Sequence, residues 1–195
     1  MKELKVAIIG FGNRGKMFNY IVKSNPMNMA KIVAVVEPRE VRREVAKTET
    51  NLSDNMIFSN MDDFLKLGKI ADVAFVMTMD KDHIHQAIPL MKAGYNLLLE
   101  KPMAVKIEDC REIAKVQKET GVIVSVCHSL RHNKVYDTVK KIIDSKKIGN
   151  VMTIDQIEGI GDIHFSSSYI RGNWGVEEKS SFMLLAKCCH DVDLI

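Results

Sequence analysis

Six residues near the start, Gly10-Phe11-Gly12-Asn13-Arg14-Gly15, carry the first chemistry legible in this chain of 195 residues. They form a Gly-x-Gly-x-x-Gly turn between an apolar run, Val6-Ala7-Ile8-Ile9, and a helical pattern with Phe18, Ile21 and Val22 at i, i+3 and i+4. In that setting each glycine has a task. The first permits a tight turn, the second lets a pyrophosphate approach the backbone, and the third lets helix and strand pack closely. The phosphates then sit at the helix N-terminus, where backbone N–H groups have no partner. Gly10, Phe11, Gly12, Asn13, Arg14 and Gly15 are therefore expected to bind a dinucleotide. Glu37 follows 22 residues after Gly15, at the end of a second apolar run. It is placed to accept hydrogen bonds from a ribose and to repel a 2′-phosphate, which favours NAD. Arg39, Arg42 and Arg43 stand just beyond it and keep NADP open, because an arginine can hold a 2′-phosphate. The competing readings are an empty glycine turn, a methyl-donor nucleoside in the same turn, and a merely solvated arginine face.

The elements that must position these residues follow from hydropathy. Ile32 to Val36, Val73 to Met77, Leu97 to Leu99 and Val122 to Val126 continue the series of apolar runs opened by Val6. Continuous rather than alternating runs point to strands buried on both faces, as in a parallel sheet. Helical patterns lie between them, with Ile84, Ile88 and Met91 before Gly94, and Ile107, Cys110, Ile113 and Ala114 before Gly121. Strands alternating with helices predict an α/β, Rossmann-type doubly wound parallel sheet over residues 1–125. The rhythm then changes. Val135, Val139, Ile142 and Ile143 mark an amphipathic helix, and Val151 to Ile157 alternates as a half-exposed strand would. Residues 159–181 read as loop, and a helical apolar pattern runs from Met183 to Ile195. Residues 126–195 are too few to bury a core of their own. They are expected to be the first part of an incomplete α/β substrate and oligomerisation domain, exposing apolar surface and an open strand edge that favours association.

Composition excludes several classes. Hydrophobic residues make up 46% and charged residues 27%, as in ordinary globular proteins rather than disordered ones. A net charge of +3 spread over mixed segments does not imply nucleic acid. No apolar run reaches the roughly 18 residues of a membrane span, and the N-terminus does not read as a secretory signal. Four cysteines without CxxC spacing, Cys110, Cys127, Cys188 and Cys189, fit reduced thiols and a cytoplasmic location. Cys188-Cys189-His190-Asp191 lacks the two-to-four-residue gaps of structural zinc sites, so no metal is expected.

A wider set of residues carries a resemblance. Glu100-Lys101-Pro102 closes the run Leu97-Leu98-Leu99, with Thr78 and His83 upstream and Ala93-Gly94 before the strand. Downstream stand His128-Ser129-Leu130-Arg131, Ile148-Gly149-Asn150-Val151, Arg171-Gly172-Asn173-Trp174 and Cys188-Cys189-His190-Asp191-Val192-Asp193. With the glycine turn, the chain resembles the Gfo/Idh/MocA family of nicotinamide-dependent oxidoreductases. That resemblance implies an N-terminal Rossmann domain, a C-terminal α/β domain with a large open sheet, and a homo-oligomer. It places Thr78, His83, Glu100 and Lys101 about the cofactor, with Lys101 beside the nicotinamide and the substrate hydroxyl. Oxidising an alcohol needs a base for its proton, and a lysine near a cationic ring gives up its own proton more readily. The Lys101–Pro102 bond is expected to be cis, as in relatives. His190 matches the family's acid–base or substrate-orienting histidine. The aspartate usual four residues before it is here Ala186, and Lys187 is the candidate substitute.

The resemblance implies hydride transfer between NAD(P) and a hydroxyl or carbonyl of a sugar, polyol or related compound. An oxidation and re-reduction cycle, as in NAD-dependent glycosidase-like relatives, is a variant. A nucleotide-binding or regulatory fragment without turnover is the alternative. Cys110 and Cys127 are expected in the core and His85 in solvent. His128 and Arg131 open toward the site, with Arg131 either holding a substrate oxyanion or a domain junction. His164 and Arg171 are further candidates for reaching a substrate. Asp193 is either functional or a structural hydrogen-bonding group.

Overall fold

A computed structural model describes residues 3–27, 29–176 and 180–195. The chain falls into two compact units, Met1–Val126 and Cys127–Ile195.

The first unit is built on six parallel strands: β1 (Leu4–Ile9), β2 (Ala30–Val36), β3 (Ile57–Phe58), β4 (Val73–Val76), β5 (Asn96–Leu99) and β6 (Val124–Val126). Their order across the sheet is β3-β2-β1-β4-β5-β6. The chain winds outward from β1 in both directions, so β1 and β4 flank the point where the strand order reverses. Ligands of such sheets bind at the carboxyl ends of those strands. Every neighbouring pair is parallel. Side chains alternate across a strand, yet both faces are dry. Ala7 and Ile9 join one core with Leu90, Tyr95, Leu97 and Ile113. Val6 and Ile8 join a second with Phe11, Val35 and Met77. Burial on both sides is why these strands read as continuous apolar runs.

Helices cover the two faces: α1 (Asn13–Ser24), α2 (Glu40–Thr50), α3 (Met61–Leu65), α4 (His83–Lys92) and α5 (Ile107–Thr120). The α1, α4 and α5 helices coincide with the predicted patterns. The α2 helix was not foreseen, because its sequence EVRREVAKTET has only Ala46 fully buried and no apolar stripe beyond Val41 and Val45. Two-residue β3 also escaped detection, being too short for a periodicity to show.

The second unit contains no strand among its described residues. It consists of a 3₁₀ turn at Ser129–His132, α6 (Lys134–Asp144), and α7 (Asp162–His164), which continues as a π-helical turn through Phe165–Ile170. A 3₁₀ turn at Asn173–Gly175, α8 (Met183–Ala186) and α9 (Cys189–Leu194) complete it. The strand expected over Val151–Ile157 does not form. Those residues are irregular and exposed, with Met152 88% and Ile157 90% accessible. Alternation alone makes no strand, because a strand needs a neighbour for its backbone groups, and no described residue of this unit offers one. The expected open strand edge is absent with it, while the expected apolar exposure is present. The predicted helix near Val135 is α6, capped by Asn133, whose side-chain oxygen accepts the Val135 N–H at 2.9 Å. Its apolar side chains Val135, Val139 and Ile142 remain exposed.

Candidate active site

The glycine turn lies between β1 and α1 at the carboxyl edge of the sheet. Gly10 has φ +91°, and a Cβ there would stand 2.7 Å from Thr78 Cγ2 and 2.9 Å from the Met77 carbonyl. A Cβ on Gly15 would fall 2.2 Å from the Gly10 carbonyl oxygen, so α1 reaches the turn only because residue 15 has no side chain. Gly12 is different. A Cβ there would meet only the end of the Arg42 guanidinium, at 3.3 Å. Gly12 is also the N-cap of α1 and offers no side chain to its unpaired N–H groups, and the first turn carries no acid. An open backbone face at the positive end of a 12-residue helix suits a pyrophosphate. Phe11 is fully buried in the core and contributes backbone only.

Glu37 ends β2 and is 2% exposed. Its Oε2 accepts the Phe11 N–H at 2.8 Å and its Oε1 accepts the Arg39 N–H at 3.0 Å. One carboxylate thus ties the glycine turn to the start of α2, a task the sequence did not reveal. Each oxygen keeps a second lone pair. Arg42 stands 3.8 Å from Glu37 Oε2. Arg43 donates to the carbonyls of Glu37 and Pro38 at 3.1 and 2.7 Å, so it is engaged with backbone. Arg39 is exposed.

The loop after β5 is coupled to that turn. Arg14 donates from Nε to Glu100 Oε1 at 2.6 Å, and its Nη2 lies 2.5 Å from the same oxygen. Glu100 is 4% exposed, and its Oε2 accepts the Lys101 N–H at 3.1 Å. Arg14 and Glu100 are 86 positions apart, and nothing local in either segment forecasts the pairing. The Lys101–Pro102 bond is cis. His83 opens α4 and is fully buried, with Nδ1 2.9 Å from the Pro102 carbonyl oxygen, so the ring carries its proton on Nδ1 to donate there. Burial holds this histidine below its ordinary range, against the opposing pull of the Pro102 carbonyl and of Asp80. Neutral His83 therefore braces the Glu100–Pro102 loop from beneath. Thr78 follows β4 beside Gly10 and donates to Gln86 Oε1 at 2.7 Å. The structure thus brings Gly10, Arg14, Thr78, His83, Glu100 and Lys101 together in the first unit.

The remaining candidates belong to the second unit. His190 lies in α9, half-buried, with its ring edge-on to His128 at 5.7 Å between centroids. Lys187 precedes α9 and pairs with Glu158 at 2.8 Å. Arg131 grips Asp193 with Nε at 2.8 Å and Nη2 at 2.6 Å. His164 Nδ1 lies 3.2 Å from Ser168 Oγ, and Arg171 is exposed. Cys127 is buried and Cys110 packs against the core, as expected, while His85 is exposed.

The profile described as "Oxidoreductase family, NAD-binding Rossmann fold" matches residues 4–128, from β1 through β6. The chain belongs to the Gfo/Idh/MocA family. NAD is the cofactor of this family's fold, and the bare Gly12 face at the start of α1 fits it. Among curated relatives, a 2,7-anhydro-N-acetylneuraminate hydratase of Mediterraneibacter gnavus is 30% identical over 155 residues, 78% of this chain and 38% of the relative. A 1,5-anhydro-D-fructose reductase of Ensifer adhaerens is 26% identical over 126 residues, 64% of this chain and 36% of the relative. The crystal structure of myo-inositol 2-dehydrogenase from Lactobacillus plantarum superposes with a TM-score of 0.82 at 27% identity, over 99% of this chain and 55% of that one. The chain spans less than half the length of these curated relatives. No helix among the described residues of this family member is long and apolar enough to cross a membrane.

Proposed function

We propose that this chain carries the dinucleotide site and the start of the substrate site of an NAD(H)-dependent oxidoreductase acting on a CH–OH group of a sugar or polyol. The observation that supports it best is the Arg14–Glu100 pair, which joins the phosphate-binding turn to the loop bearing Lys101. The N–H groups at the start of α1 hold the pyrophosphate. Glu37, fixed by two backbone N–H groups, keeps lone pairs for ribose hydroxyls and repels a 2′-phosphate. NAD, when bound, accepts and returns a hydride. Lys101 takes the proton of the substrate hydroxyl as that carbon gives up hydride, and returns it in the reverse direction. His190, with Lys187 nearby in sequence, is the acid–base candidate of the second unit. The substrate is a small polyhydroxylated molecule, and the working form is a homo-oligomer.

Titration with NADH and NADPH tests the nucleotide assignment. Saturable binding that is tighter for NADH is expected. Preference for NADPH moves the weight from Glu37 to Arg42, and no binding by the folded chain overturns the reading of the glycine turn. For the chemistry, Lys101→Ala is expected to lower turnover of a polyol by about 10²–10⁴-fold while NADH still binds. Unchanged turnover removes Lys101 from the reaction.

The hydratase relative favours a second reading. In it the substrate is oxidised and reduced again in one cycle, so product forms with no net change in NADH absorbance. Product formed in step with NADH excludes that variant.

A further inference from the structure

The second unit gathers four polar side chains of which the reaction above uses one. His190 and Asp193 are three positions apart in α9 and so share one helical face. His128 meets the His190 ring edge-on, with the ring planes at 86°. Its Nδ1 is buried, has no hydrogen-bond partner among the described residues, and lies 3.7 Å from Asp193 Oδ2. Arg131, from the 3₁₀ turn after His128, donates to both oxygens of Asp193, whose side chain is 10% exposed. Of the other charged groups of these elements, His132 is exposed, and the Oδ2 of Asp191 is buried without a hydrogen-bond partner among the described residues. Lys187 pairs with Glu158, and Asp191 accepts from Gln156 at 2.9 Å. Ala186, one turn before His190, offers no carboxylate.

We propose that Asp193, clamped by Arg131, is the positioning residue for His190, fixing the charge seen by the His128–His190 ring pair. The proposal rests on the reading of His190 as an acid–base group. Its physical basis is the geometry of the clamp. A bidentate arginine occupies one lone pair on each carboxylate oxygen and leaves one on each for a ring N–H. The Arg131 hydrogen bonds hold the Asp193 carboxyl below the ordinary carboxylate range, with burial opposing and His128 assisting. Asp193 therefore stays ionised wherever a histidine titrates, and Arg131 moderates the field it exerts. The two members of the clamp act on His190 with opposite sign. A carboxylate favours the imidazolium, and a guanidinium disfavours it.

That opposition supplies the test. The ring signals of His190 are followed by NMR against pH in the full chain, in wild type, Asp193→Asn and Arg131→Gln, with backbone amide spectra confirming the fold. Asp193→Asn is expected to lower the His190 titration midpoint by about 0.5–1 unit, less than an unmoderated ion pair would give. Arg131→Gln is expected to raise it by a similar amount. A folded variant that leaves the midpoint within about 0.2 unit, or moves it the other way, overturns the proposal. Should one variant not fold, the sign of the other decides. Both shifts present, with turnover unaffected by His190→Ala, would support the clamp and remove His190 from the reaction.

Discussion

The two units hold their candidate side chains by different means. In the first, the residues sit at or beside strand ends of a sheet buried on both faces. Glu37 and Glu100 are 2% and 4% exposed and His83 is sealed; Glu37 and His83 contact backbone of other loops, and Glu100 accepts from the Arg14 side chain and the Lys101 N–H. In the second, which has no strand among its described residues, His190, His128, Asp193 and Arg131 stand on turns and short helices, held by charge pairing and ring contact. Strand ends fix backbone positions through the ladder, so one carboxylate can brace two loops. Short helices fix little, and there the ion pair itself does the positioning.

Glycine substitutions should break the comparison most sharply. Gly15→Ala drives a Cβ into the Gly10 carbonyl and should cost more than about 3 kcal/mol, or prevent folding altogether, as read by chemical denaturation. Gly149→Ala in the second unit meets open space and strains only a φ of +75°, so about 1 kcal/mol is expected. Equal costs would mean that the sheet edge is no more tightly packed than the second unit.

The two arginine–carboxylate pairs sharpen it further. Arg14→Met should cost about 1–2 kcal/mol, because it strands a buried Glu100 while Arg14 itself is partly screened by solvent. Arg131→Met, whose side chain is 64% exposed and screened by solvent, should cost less than Arg14→Met in the same denaturation experiment. A larger loss at Arg131 would give the second unit the more deeply buried ion pair in solution.

The smallest effect is a pH slope. His83 binds its proton less readily folded than unfolded, so the unfolded chain takes up more protons and stability rises with pH. The contribution is complete above the unfolded value near 6.5 and is lost as pH falls below it toward the lower folded value. Melting temperatures of His83→Gln should lose that slope between about pH 5 and 7, while His85→Gln, at an exposed ring, should keep it. A slope retained in His83→Gln would assign it to other groups.

Part of this was open to reading from residue order. Val6–Ile9 and Val151–Ile157 are both apolar stretches with strand propensity, yet only the first is a strand. The first is continuous because it is buried on both faces, by α1 and α2 side chains on one and by α4 and α5 on the other. The second alternates, and an alternating segment becomes a strand only where a partner edge exists. Helices with a clear apolar stripe were legible, whereas α2, which buries Ala46 alone, was not. The candidate site divides the same way. Gly10, Gly12, Gly15, Glu37 and Lys101 stood out by type and spacing, and their partners did not.

By itself the sequence determined the alternation of strand and helix, the turn that only glycine can make, and the identity of the groups able to hold phosphate or move a proton. These are local properties, set by allowed backbone angles and by side-chain periodicity. The tertiary structure alone decided that Arg14 meets Glu100, that the Glu37 carboxylate braces Phe11 and Arg39, that His83 supports Pro102, and that Arg131 clamps Asp193. Such pairs depend on which strand ends and turns the fold sets side by side. That is settled by packing over the whole unit rather than by any stretch of the chain alone.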